Sequence, residues 1–362
     1  NGTDVIENTA NSYLVSAPGY YRIPLVYGNA IKNNDANYVA YQFSGSASFI
    51  NVNGEKRVNI LPKFVDHDGK EINNPWIEKT NGKANNGING AQIVWSDEAN
   101  LVNLASNPIY RDGSGNAFVK FEVTKENIKS GNAVIAVKKG NTIVWSWHLW
   151  FAPKNALDKI PVTNKQNKVY NFTNEALGWK PTKWTGTSYS TPRTVKVKVE
   201  QTIANNGKKQ VSVFTITQNA GITERRGNTT LYQWGRKDPF PSTNPAVGTL
   251  FKQNAGNQIY MQAIIQNPGY FYVTEGGSTI PGSSYLTRYY YFYNLWSVNN
   301  TETNGNDNAV VKTIYDPSPV GFQVPASNAF TGFTSNGANQ GPKMVDGTEV
   351  PATYNSQTGH IF

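Results

Sequence analysis

Cysteine is absent from the 362 residues. Its absence removes disulfides, thiolate metal sites and cysteine catalysis together. A secreted eukaryotic β-domain of this kind more often carries bridges, so a bacterial exported surface fits better. Charge is also sparse, at 16% of residues, while apolar residues reach 38% and aromatics 12%. That mixture is too aromatic for disorder and too polar for a membrane protein, and reads as globular and β-rich with long polar loops. No run of about 18 apolar residues exists, so no transmembrane segment is expected. Histidine occurs only as His67, His148 and His360. No Gly-x-Ser-x-Gly elbow, His-Glu-x-x-His helix or phosphate loop is present. No signal peptide is visible and the chain opens on Asn1 rather than Met, which leads us to expect a processed or trimmed product.

The excess of 33 basic over 24 acidic residues gives a net charge of +9. Its distribution argues against a nucleic-acid partner. Lysines alternate with valines in Val195-Lys196-Val197-Lys198-Val199, the pattern of a solvated sheet face that discourages edge pairing. Anionic glycans or a negatively charged cell surface stay open as partners. Asn-x-Thr sequons at Asn1, Asn171, Asn228 and Asn299 are what chance gives in so Asn-rich a chain.

The dominant period is two. Strands are expected over 20–27, 91–95, 117–123, 133–137 and 142–151, with Asn, Gly and Asp clusters as turns. Gly140-Asn141 sits where a two-residue hairpin loop needs positive φ. A second hairpin is expected from 194–201 and 210–218 around Asn205-Asn206-Gly207. Between the two, Trp179 and Trp184 lie in a polar, Pro- and Gly-punctuated stretch that either finishes the first sandwich or covers the hairpin. Residues 257–267 read as a short helix with Ile259, Tyr260, Ala263 and Ile264 on a buried face, stopped by Pro268-Gly269. The expected fold is mainly β. An N-terminal antiparallel β-sandwich (1–155) leads to a second β unit or hairpin extension (156–222), and then to a C-terminal α+β module (223–362).

Two stretches carry most of the specific signal: Tyr232-Gln233-Trp234-Gly235-Arg236-Lys237-Asp238-Pro239-Phe240 and Tyr315-Asp316-Pro317-Ser318-Pro319-Val320-Gly321-Phe322-Gln323-Val324-Pro325. Prolines and glycines around an aromatic exclude regular helix or central strand, so a tertiary frame must hold each loop. Trp234 and Phe322 are expected as buried pins, with Arg236, Asp238, Asp316, Pro317 and Gly321 completing the structural motif. With the short helix and Asn294-Leu295-Trp296 between them, these motifs resemble the major paralogous domain of Fibrobacter and Bacteroidetes surface proteins. Upstream, Gly19-Tyr20-Tyr21-Arg22-Ile23-Pro24-Leu25-Val26-Tyr27-Gly28-Asn29 and 131–137 leading into Trp145-Ser146-Trp147-His148 resemble the β-sandwich regions of Bacteroidetes fimbrillin-family proteins. The resemblance implies an exported, often lipid-anchored protein of the outer-membrane surface or fimbrium of a Gram-negative bacterium, ending in a module similar to C-type lectins. Relatives often carry Cys at the position of Ser318 and Trp at that of Phe322. Their module continues further past Pro325, so the one here is expected to be either a fragment or an abbreviated form.

Catalytic residues are not expected. His148 sits among Trp145, Trp147 and Trp150 on a strand and reads as a satisfied structural histidine. Asp97, Glu224, Asp238 and Asp316 are available as a hydrolase pair, but Asp238 and Asp316 precede prolines, where Asx turns account for them. No cofactor is expected, with calcium the alternative. The segments Asp66-His67-Asp68-Gly69-Lys70-Glu71 and 304–308 hold oxygens at alternate positions, and Asn304, Asn306 and Asp307 are the favoured ligands. The aromatic run at Tyr285 and 289–296 is the candidate binding surface. On a strand Tyr289, Tyr291 and Tyr293 share one side, Tyr290 and Phe292 take the other, and Trp296 completes the stacking set. Core packing is the equal alternative for that run. Three functions follow as expectations. The first is a non-enzymatic, tip-like adhesin that meets a glycan, a host or bacterial surface protein, or other pilus subunits. The second is a surface lipoprotein that captures polysaccharide, and the third a β-sandwich glycoside hydrolase.

Overall fold

In the computed structural model the described residues are 6–42, 49–52, 55–58, 60–185, 191–219, 224–255, 260–273, 292–301 and 305–331. The first hairpin forms where its turn residues stand. Strands Gly131–Lys139 and Thr142–Phe151 pair antiparallel with Lys139 opposite Thr142, and Gly140 takes φ +60°. Asn141 has no positive φ, so one glycine suffices for this turn. These strands are the centre of a four-stranded sheet in the order 12–15, 142–151, 131–139, 90–96. The outer strand Ser12–Val15 runs parallel to Thr142–Phe151, a departure from the all-antiparallel expectation. A three-stranded antiparallel sheet, Gly19–Pro24, Ala117–Val123 and Asn103–Arg111, contributes Ile23, Val119, Phe121 and Val123 to the same apolar cluster as Ile135, Val137, Trp145 and Trp147. Two sheets sharing one core fit a β-sandwich.

The two central strands of the four-stranded sheet are buried on both faces. Every residue of 131–137 and of 144–151 is inaccessible, as a near-continuous apolar run requires of a doubly covered strand. Ile314, Tyr315, Leu295, Trp296, Met261 and Ile264 belong to the main core cluster together with the N-terminal strands. The compact units are accordingly Asn1–Trp179 with Thr229–Phe362, and Lys180–Asn228 by itself. These units do not coincide with the divisions expected near 155 and 222, because residues from 229 onward fill the same core as the first sandwich.

The helix comprises Met261–Gln266 and buries Met261, Ile264 and Ile265, an i, i+3, i+4 face. Tyr260, expected on that face, is the extended residue before the helix and is 51% exposed. Ile259 lies outside the described residues. The smaller unit consists of paired strands Lys180–Thr185 with Glu224–Asn228 and Arg193–Glu200 with Val211–Gln218. Its tight turn has Asn206 at φ +52° and Gly207 at +74°, the two positive values a type I′ loop needs.

Side-chain amides do much of the long-range fastening in the larger unit. Asn11 donates to Ile314 O at 2.6 Å and Asp316 O at 2.8 Å, and Asn29 donates to Thr313 O at 2.7 Å. Asn294 pairs with both main-chain groups of Leu61, accepting at 2.8 Å and donating at 2.9 Å, as a neighbouring strand would. Gly28 makes room for the first of these clamps, since a Cβ there would lie 2.0 Å from Asn11 Oδ1. Gly28→Ala is therefore expected to displace the Asn11 amide and cost about 1–3 kcal/mol, read as a lower urea midpoint at unchanged slope. An unchanged midpoint would show that the clamp carries no stability.

Candidate binding groove

The first signature loop is closed by its main chain and the second by a side chain. In the first, Leu231 and Phe240 exchange main-chain bonds of 2.9 and 2.7 Å, and Gly235 takes φ +76° inside the loop. Arg236 is 1% exposed and donates to Tyr270 O and Pro268 O, each at 2.8 Å, beyond the C-terminal end of the helix. Lys237 and Asp238, 3% and 2% exposed, form a 2.7 Å ion pair under the sheet. Ser146 serves both: its hydroxyl donates to Asp238 Oδ1 at 2.8 Å, and its oxygen accepts from Lys237 Nζ at 2.6 Å. Burial pulls the Lys237 pKa down to about 8 against the attraction of Asp238.

In the second loop, Asp316 is fully buried. Its carboxylate accepts from Ser318 N at 2.7 Å and Val324 N at 3.0 Å, so one side chain ties both ends of 316–324. This is the Asx role expected of an aspartate before proline. Lys312 donates to Ser318 O and Pro319 O, and burial lowers its pKa. Gly321 takes φ +82° at the loop tip.

His148 is buried between the two loops. Asn132 spends its Nδ2 on Asp97 and Gly178 O, so its oxygen, 3.0 Å from His148 Nε2, accepts the ring proton. Ser12 donates to Pro317 O at 2.6 Å, leaving the Tyr232 hydroxyl, 3.1 Å away, to donate to His148 Nδ1. Burial drives the His148 pKa down to about 3, with Asp238 pulling weakly upward, and burial holds the Tyr232 phenol protonated. The histidine is thus a neutral joint between strand and loops.

The outer side of the second loop borders a groove of about 720 Å³. Its other wall is the hairpin of strands Lys159–Thr163 and Val169–Thr173, reversed through Asn167 at φ +62°. Phe322, Phe172, Phe330 and Tyr170 supply aromatic surface, and Lys159 Nζ lies 5.9 Å from the Phe322 ring centre. At one point the walls meet: Asp307 accepts from Tyr170 at 2.6 Å, Asn164 at 2.7 Å and Asn328 at 2.9 Å. Burial opposes ionisation of Asp307, but the bonds from Tyr170, Asn328 and Asn164 outweigh it and lower its pKa.

The residues singled out by sequence fall unevenly around this groove. Phe322 is half-buried and lines it, where a buried pin was expected; Trp234 is also only partly buried, donating to Phe292 O at 3.1 Å and packing 4.7 Å from Trp296. Trp296, expected to stack on ligand, borders the groove but is 3% exposed, with its Nε1 donating to Arg236 O. It is a core residue as placed. Tyr293 is half-buried, and Tyr285, Tyr289, Tyr290, Tyr291 and Asn304 lie outside the described residues. Asp307 borders the groove as a hydrogen-bonded strut, and Asn306 Oδ1 accepts from Asn308 N at 3.0 Å. Asp66 accepts from Asp68 N, Lys70 N, Asn81 and Asn85, so its carboxylate is committed to a turn. Asp97 likewise accepts both the main-chain N–H and the side chain of Asn132. Lys159, Tyr170, Phe172 and Phe330 were not anticipated as site residues. The alternation in Val169-Tyr170-Asn171-Phe172-Thr173 signals a strand, but nothing local says that its edge faces the Asp-Pro loop.

No protein-family model matches this chain, and neither a curated protein nor a solved structure does.

Proposed function

We propose that this protein is a non-enzymatic recognition protein of a bacterial surface, an adhesin or pilus-associated component, and that the groove between the 159–173 hairpin and the Asp-Pro loop is where it meets its ligand. The observation that carries the reading is the groove itself: about 720 Å³ of open space with half-buried aromatic rings on both walls, set on loops that are locked internally. The titratable groups nearby support recognition over hydrolysis. Asp97 is committed to Asn132, Asp238 to Ser146 and Lys237, and Asp316 to its own loop, and the neutral His148 is enclosed. The lectin-like and fimbrillin-like sequence resemblance and the absence of cysteine fit an exported location. Capture of polysaccharide by a surface lipoprotein would use the same groove.

The test is a glycan and surface-protein array probed with the intact protein and with Phe322→Ala. Removing one stacking ring from the wall is expected to weaken binding tenfold or more while thermal stability stays within a few degrees. Equal binding by both proteins would place the ligand elsewhere. Turnover of any arrayed glycan that disappears on replacing one carboxylate would favour the hydrolase.

A further inference from the structure

A strand edge runs along the groove, which a sugar site does not need. Consecutive residues from Lys168 to Thr173 all border it. Side chains of a strand alternate between faces, so an uninterrupted run means that the edge is presented. The ladder register agrees. Asn164 N donates to Lys168 O and Asn174 N to Asp158 O, both at 2.8 Å, which marks 164 with 168 and 158 with 174 as bonded pairs. Bonded and non-bonded pairs alternate along an antiparallel ladder. Ile160 with Phe172 and Val162 with Tyr170 therefore exchange the internal bonds, while the pairs Lys159–Thr173, Pro161–Asn171 and Thr163–Val169 do not. Pro161, which has no N–H to give, stands at one of the non-bonded positions. The main-chain N–H and C=O of Val169, Asn171 and Thr173 thus point away from the partner strand. Among the described residues no second strand pairs with this edge.

Charge narrows the occupant further. The side chains of charged residue types bordering the groove are Lys159, Lys168 and Asp307, so the lining is net positive. Asp307 already has its oxygens on Asn164, Tyr170 and Asn328, and it partly offsets Lys168; Lys159 sits at the other end beside Phe322. An incoming carboxylate meets cations at both ends of an edge about 16 Å long. Resting on the reading that this groove binds ligand, we propose that the ligand is an extended polypeptide segment with acidic side chains, added as a strand to the Val169–Thr173 edge. Main-chain pairing supplies affinity in that mode, and the lysines and aromatic rings select the sequence.

A positional-scanning library of synthetic octapeptides, capped at both ends, tests this on the intact protein. Asp or Glu is expected to be enriched toward both ends of the bound segment. N-methylation of the best peptide should weaken binding at least tenfold at alternate positions and leave the intervening ones unchanged. Asn171→Pro removes one outward N–H and should also weaken binding tenfold with an unchanged far-UV spectrum, and Lys159→Glu with Lys168→Glu should shift the preference to basic peptides. Binding indifferent to N-methylation at every position would overturn the strand-addition proposal even if Asn171→Pro failed to fold. Enrichment of no peptide, with Phe322-dependent glycan binding intact, would overturn it and leave the groove as a recognition site. Binding of neither peptides nor glycans would remove both.

Discussion

Replacing Lys237 with methionine is expected to destabilise the larger unit by about 3–5 kcal/mol, because it leaves the Asp238 carboxylate buried without its cation. Lys237 and Asp238 are 3% and 2% exposed, so solvent does not screen the loss. The ammonium also donates to Ser146 O at 2.9 Å and lies 4.4 Å from the Trp145 ring centre, contacts that methionine replaces only in shape. With a pKa of about 8 the lysine is still charged at neutral pH. Removing both charges, as Lys237→Met with Asp238→Leu, is expected to recover at least half of the loss, since two desolvated ions are replaced by apolar packing. Urea unfolding midpoints of the single and double variants decide the matter. A single variant within 1 kcal/mol of the parent would mean that the pair does not hold the Trp-Gly-Arg-Lys-Asp-Pro loop in place.

Acid is expected to unfold this protein partly through His148. The ring is neutral in the fold, with a pKa near 3 against an ordinary value of 6.5. Below pH 6.5 the unfolded chain takes up a proton that the folded chain refuses, so stability falls as pH drops until the folded pKa is reached. Integrated across that window the contribution is roughly 4–5 kcal/mol, lost at about 1.4 kcal/mol per pH unit. Carboxylates titrate in the same range, and the histidine's share is isolated by His148→Asn. That variant should be weaker at pH 7, where the bond to Asn132 is lost, and should close the gap to the parent by about 1.4 kcal/mol per unit between pH 6 and 4. Parallel stability curves for the two proteins would show that His148 is not the acid-sensitive joint.

The sequence disclosed the sheet and turns well because their causes are local. Alternation marked Ala117–Val123 and Thr142–Phe151 at both ends, and Gly140, Asn206 and Gly207 stood where positive φ was required. The parallel placement of Ser12–Val15 was not legible, since its partner is more than a hundred residues away and four residues carry no directional signal. Nor was the fusion of 229–331 with the first core. That depends on Tyr315 stacking 6.5 Å from Trp145 and on Asn11 reaching Asp316, contacts with no footprint in either segment alone. Of the two aspartates before prolines, Asp316 closes its loop as an Asx residue, whereas Asp238 spends its carboxylate on Ser146 and Lys237 instead. Trp296 takes the core-packing alternative to ligand stacking, and Phe322, expected as a buried pin, is half-buried in the groove, because an aromatic beside glycine and proline, as Phe322 is, reveals only that the loop is shaped, and not which side of the ring meets water.

The clamps from Asn11 and Ser12 to the Asp-Pro loop span 303 to 305 residues of chain. During synthesis the amide of Asn11 lacks these acceptors until residues 314–316 have been made, so one face of the sheet waits for a distant stretch of chain to arrive. Contacts this distant make closure slow and leave Trp145 and its neighbours exposed to wrong partners in the interval. The same fastening that makes two sequence regions one body ties completion of this core to residues 314–317, which the sheet must await.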